Sequence, residues 1–183
     1  SDHGEFIGDF GVTHKIPAFY ECLIRVPLII YDPTDRLTSG KNSNLVELMD
    51  GMATVLDLCG LEQPDGSHAL SQLDESSDRK DIYADAGMLL QQPKEPVDGL
   101  KMKGAMPPTP YGPGAMLRDS EWKICMYADD QGELYNILHD PSETKNLFDV
   151  PQYSDIKNKM MSRLTQRMMC FGQMPERLPR GEY

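Results

Sequence analysis

Between Gln91 and Gly114 the sequence places Pro93, Pro96, Pro107, Pro108, Pro110 and Pro113 among several glycines. Proline lacks the N–H that a ladder or a helix needs, so no regular element can run through these residues. A connection of this length reads as a surface loop, either a lid or a substrate-contacting excursion. It divides the chain into three parts: residues 1–90, the Pro/Gly-rich loop 91–114, and residues 115–183.

Each flank carries its own pattern. In the first, "RVPLIIYDP" (25–33) is a short continuous apolar run ended by an Asp-Pro turn signal, as expected of a strand buried on both faces. From Asn44 to Gly60, Leu45, Leu48, Met49, Met52, Val55, Leu56 and Cys59 repeat at helical spacing. Asn44 is placed to cap this helix with Glu47 reaching back, and Gly60 to end it in a left-handed turn. "DIYADAG" (81–87) is a second short strand, and a helix between strands implies an α/β layer.

In the second flank, "AMLRDSEWKICMYADDQGELYNI" alternates through two or three short strands with turns at Asp119-Ser120 and 129–132, an antiparallel meander. A final helix is expected over Pro151–Met169. Tyr153, Ile156, Met160, Leu164 and Met168 would face inward and Lys157, Lys159, Arg163 and Arg167 outward. The tail "PERLPRGEY" reads as extended.

At 183 residues, with 39% apolar and 26% charged residues, the chain can bury a core and should fold. A net charge of −11 excludes a nucleic-acid partner, since Lys101-Met102-Lys103-Gly104 is the nearest approach to a basic patch. No stretch approaches the ~20 apolar residues of a membrane span. No secretory leader is present in the sequence itself, which leaves the compartment open; a periplasmic or secreted location would need a preceding signal. Cys22, Cys59, Cys125 and Cys170 form no CxxC pair, which removes zinc-ribbon and thioredoxin-type readings, and they read as buried apolar thiols ahead of a disulfide.

The opening stretch "SDHGEFIGDFGVTHK" holds the chemistry. Where a strand turns into a loop, adjacent Asp2 and His3 can converge on one ion, a hard oxygen beside a nitrogen. Two ligands do not make a site, and no second Asp/His/Glu cluster completes it. On these residues alone, a metal site and a polar terminus are both open readings.

The wider pattern resembles the sulfatases, sulfate-ester hydrolases of the alkaline phosphatase superfamily. Ser1-Asp2-His3-Gly4 is followed by Gly8 and Gly11, then Lys15, Phe19-Tyr20-Glu21 and Arg25-Val26-Pro27-Leu28. Further on, "NLVELMDGMATVLDLCGL", "LRDSEWKICMY" and "GELYNILHDPSETKNLFD" are similar to that family's later segments. The resemblance implies the C-terminal portion of a sulfatase: a remnant of the alkaline-phosphatase-like α/β sandwich in 1–90, and a small antiparallel sheet with a packed helix in 115–183. It implies that Asp2 and His3 bind a metal, calcium, and that Lys15 contacts the sulfate and acts in catalysis. His14 is a weaker candidate for substrate binding, as a donor to the leaving group or as a packed histidine. The glycines would fold Lys15 back toward the ion. Glu21 reads as structural; Arg118 and Tyr111 are candidates to face a substrate, with a structural role the favoured reading for each.

The family's nucleophile, a formylglycine or serine in a Cys/Ser-x-Pro-x-Arg motif, has no counterpart among these residues. The resemblance therefore implies a partner, the N-terminal half of the same protein, which would carry the formylglycine. This chain alone is then expected to be inactive. The substrate would be a small-molecule or sugar sulfate ester. Two alternatives remain: a phosphonate or phosphodiester hydrolase using manganese, and a noncatalytic docking or assembly domain.

Overall fold

The computed structural model describes residues 1–13, 15–16, 18–33, 36–73, 79–86, 113–128 and 130–171. Its centre is a four-stranded antiparallel sheet in the order β1 (Ile82–Ala86), β2 (Gly114–Arg118), β3 (Trp122–Tyr127) and β4 (Gly132–Asn136). Met116 stands opposite Ala84 on one side and Cys125 on the other, and Ile124 stands opposite Leu134. The expected meander is present. Its first turn is tied by Asp119, whose Oδ1 accepts the Glu121 and Trp122 amides at 2.9 and 2.8 Å. "DIYADAG" joins this sheet as its edge strand rather than a parallel layer. Most of the Pro-rich loop, Tyr111 and the tail lie outside the described residues.

Strand alternation sorts the core to two faces. Ala115, Leu117, Ile124 and Leu134 meet Met160 and Leu164 of the long helix on one face. Met116, Cys125 and Tyr127 meet Phe19 on the other. Three helices are described: α1 (Glu21–Ile24), α2 (Asp50–Leu58) and α3 (Ser154–Phe171), the last preceded by a 3-10 turn at Pro151–Tyr153.

Four expectations change. Arg25–Pro33 pairs with none of the four strands, and Leu28, Ile29 and Tyr31 are exposed, because a strand needs a neighbour and no described segment supplies one. The helix expected from Asn44 starts six residues later. There Asp50 Oδ2 accepts the Glu47 amide at 2.8 Å, a reach-back cap shifted along the chain. Its face is also inverted: Asp50, Ala53 and Thr54 are buried while Leu48, Met52 and Val55 are exposed. Hydrogen bonds cause this, since Asp50 Oδ1 accepts the Leu70 amide and Thr54 Oγ1 the Gln72 amide. Gly60 does take the left-handed turn, at φ 69°.

On α3, Arg163 and Arg167 turn inward rather than to solvent. Arg163 reaches Asp119 at 2.5 Å and Asp81 at 2.8 Å, and Arg167 pairs with Glu47 and Asp81. Arg79 binds Glu47 and Asp50 in turn, so the fork geometry of three arginines links α2, β1 and α3. Among the cysteines only Cys125 is fully buried; Cys59 and Cys170 are exposed, and all four are free thiols. Among the described residues no helix is long and apolar enough to cross a membrane.

The sheet face toward Phe19 also buries Glu133, which accepts from the Tyr127 hydroxyl at 3.2 Å. Burial pushes its carboxyl above the usual range, against the opposing pull of Tyr127 and Lys123. A raised carboxyl favours folding only once protonated, so its contribution is present in acid and lost as pH rises through the folded value. Glu133→Gln is therefore expected to raise stability at pH 7. The gain should vanish below the ordinary glutamate value of 4.5, as denaturant melts at the two pH values would report.

Candidate active site

The opening stretch folds back on itself as the glycines require. Gly8 and Gly11 have φ of 103° and 75°, and the turn between them closes through Gly8 N–H to the Val12 carbonyl at 2.9 Å. Phe6 and Val12 pack with Tyr20 and Leu23, and Phe6 and Phe10 both lie against the Tyr20 ring. This small apolar cluster fixes the loop, and Lys15 returns to the Asp2–His3 segment.

There the Lys15 ammonium lies 2.9 Å from His3 Nε2. The other ring nitrogen, Nδ1, faces the Gly4 carbonyl oxygen at 2.7 Å. A carbonyl accepts but cannot donate, so the proton sits on Nδ1 and Nε2 presents its lone pair to the cation. Asp2 Oδ2 lies 3.9 Å from the same Nε2. Hydrogen bonding at its own backbone N–H holds the Asp2 carboxyl below the usual carboxylate range.

The arrangement fits a divalent cation in its chemistry. A ligating histidine ordinarily donates its second ring nitrogen to a carbonyl, which fixes the tautomer, and a carboxylate beside it adds the hard ligand. Here an ammonium occupies the lone-pair direction. Among the described residues no group of three His, Cys, Asp or Glu side chains could hold a metal, so this pair does not complete a site by itself.

Gly4 is held for a different reason from Gly8 and Gly11. Its N–H donates to the Leu23 carbonyl at 2.7 Å, and a Cβ at this position would overlap the Cys22 carbonyl oxygen. Glu21 is structural, as expected, pairing with Arg118 at 3.1 Å. Arg118 is thereby engaged too. His14 lies outside the described residues.

Asp2, His3 and Lys15 line one cleft of about 440 Å³. Its other wall includes Tyr83 and Asp85 of β1, joined by a 3.1 Å hydrogen bond from the phenol to the carboxylate. Sequence reasoning missed this wall. The signal available was the i, i+2 placement of a phenol and a carboxylate on one strand, which says nothing about what they face.

No family model matches the chain. An uncharacterized protein of Haemophilus influenzae is 32% identical over 132 residues, 72% of this chain and 61% of that protein. The uncharacterized sulfatase YidJ of Escherichia coli is 24% identical over 171 residues, 92% of this chain and 31% of YidJ. An arylsulfatase of Clostridium perfringens is 38% identical over 89 residues, covering 46% of this chain and 18% of that enzyme. Named sulfatases thus match the chain over most of its length, as the C-terminal portion of such a protein would.

Solved structures agree on the fold. A 2-O GAG sulfatase superposes with a TM-score of 0.70 at 20% identity, over 91% of this chain and 34% of its own. A protein solved in complex with its substrate D-glucosamine-2-N,6-O-disulfate gives 0.66 at 21% identity, over 93% and 33%. The phosphonate monoester hydrolase of Agrobacterium radiobacter gives 0.69 at 18% identity, over 92% and 34%. The fold is thus the alkaline-phosphatase-like α/β class. The chain spans 61% of the Haemophilus protein and about a third or less of the named sulfatases.

Proposed function

We propose that this chain supplies part of the active site of a sulfate-ester hydrolase. Asp2 and His3 are two of the ligands of a calcium ion, and Lys15 binds a sulfate oxygen. The carrying observation is the convergence of Lys15 Nζ on His3 Nε2, beside Asp2, in one cleft. A divalent cation there would offset the charge that builds on the sulfate oxygens as the ester bond breaks. Lys15 adds a second positive charge beside the same group. His3, its proton fixed on Nδ1, offers Nε2 as a neutral ligand, and Asp2 stays ionised.

The chain holds no Cys/Ser-x-Pro-x-Arg segment, so the formylglycine belongs to the remainder of the parent protein. The exposed Leu48 just before α2 and Met52 and Val55 within it, with Leu28, Ile29 and Tyr31, support packing against that remainder. The boundaries 1–90, 91–114 and 115–183 go with this reading. The substrate is a small-molecule or sugar sulfate ester. Names among the relatives and neighbours, choline-sulfatase and the glucosamine disulfate complex, support that breadth.

The second reading, phosphonate or phosphodiester hydrolysis with manganese at the same pair, draws on the shared fold of the phosphonate monoester hydrolase. Assaying the full-length parent with aryl sulfate and with matched phosphate and phosphonate esters, alongside metal analysis, separates them. Sulfate-ester turnover with bound calcium is expected from the parent and none from this chain alone. Preference for the phosphorus esters with bound manganese would replace the first reading with the second. No turnover of any ester would leave the docking domain.

A further inference from the structure

On the sheet face away from α3 lies a buried charge cluster that the site chemistry does not use. Lys123 of β3 is fully buried. Its ammonium donates to the Phe19 carbonyl at 2.6 Å and faces Glu21 at 3.3 Å and Glu143. Glu143 is buried as well, and its Oε2 accepts the backbone N–H of Glu21 at 2.6 Å.

Two features make this more than a stabilising pair. A buried ion pair is weak support for a fold, because apolar residues of the same volume commonly serve as well. Glu143 also stands at φ 54°, a left-handed conformation unfavourable for a residue with a Cβ. Such an outlier persists where its contacts over-determine it, and here those contacts hold the first residue of α1.

From that residue a short connected path reaches the site. α1 runs from Glu21 to Ile24, the Leu23 carbonyl accepts the Gly4 N–H, and the Gly4 carbonyl accepts His3 Nδ1. The Gly4 residue is thus gripped through its N–H on one side and orients the imidazole through its carbonyl on the other. We infer that Glu143 and Lys123 are positioning residues that set the orientation of the His3 ring through the Glu21–Leu23 turn and Gly4. The bearing of this on catalysis rests on the proposed role of His3, whereas its test does not.

The test uses the isotope-labelled chain without metal or ester. It reads Gly4 amide exchange relative to that of Ile124, and the His3 ring tautomer by nitrogen chemical shift. Glu143→Ala should speed Gly4 exchange about tenfold relative to Ile124 and convert the Nδ1–H ring to a mixed tautomer. Glu143→Gln keeps an oxygen for the Glu21 amide, so about threefold is expected. Leu164→Ala, in the α3 core, should speed both amides together and leave the tautomer alone. Should Glu143→Ala not fold, Glu143→Gln decides. Wild-type ratio and tautomer in the Glu143 variants, or the same shift in Leu164→Ala, overturns the inference. Failure of the sulfatase reading would appear separately, as a parent without ester turnover while these exchange ratios hold.

Discussion

Gly4→Ala is expected to cost about 3 kcal/mol or more and to release the Asp2–His3 segment from the turn beneath it. The cause is contact, not backbone angle. The new Cβ would overlap the Cys22 carbonyl oxygen and stand 3.0 Å from the Cys22 carbonyl carbon and 3.3 Å from Leu23 Cα. All three are backbone atoms, so no rotamer change makes room. The chain must lengthen or break the 2.7 Å bond from Gly4 N–H to the Leu23 carbonyl, and with it the support of the imidazole. Gly8→Ala and Gly11→Ala provide the comparison. Both positions have positive φ but open space around the missing Cβ, so each should cost only ~1 to 2 kcal/mol of backbone strain. Urea melts of the three variants, with amide exchange at position 4, check the ordering. A Gly4→Ala chain as stable as Gly8→Ala would contradict the close approach.

Legibility in the sequence followed locality. The meander was readable because alternation and turn chemistry act over a few residues: Asp119 ties its own turn, and Gly132 opens β4. The return of Lys15 to His3 was also readable, since it needs only the glycines between them. What the sequence concealed was the partner of each face. Leu48, Met52 and Val55 have inward-looking spacing, yet Asp50 and Thr54 turn the helix by hydrogen bonds to residues 18 to 20 positions away. Arg163 and Arg167 look solvent-facing until Asp81, Asp119 and Glu47 arrive from distant segments. Lys123 reads as the polar member of an alternating strand, and its burial depends on Glu143 and on Phe19, 104 residues away. The 25–33 run shows the opposite case, a buried-strand pattern with no described strand beside it.

Lys15→Ala should divide catalysis from stability in the full-length parent. In this chain Lys15 and His3 are exposed and the Asp2 side chain is 83% accessible, so their mutual attractions are screened by water. Removing the lysine should therefore shift the melt by less than about 0.5 kcal/mol. The same ammonium, placed against a sulfate group with water excluded, acts at a far lower effective dielectric. There its loss should lower kcat/KM for an aryl sulfate by about 10² to 10³, the scale of one preorganised donor to a developing anion. Lys15→Arg should recover only part of the rate, because the guanidinium brings charge without the compact geometry of the ammonium. The loss should not depend on pH across the neutral range, where a proton-transfer role would produce a titrating step. A Lys15→Ala parent that keeps more than about a third of its kcat/KM would remove the lysine from the sulfate site.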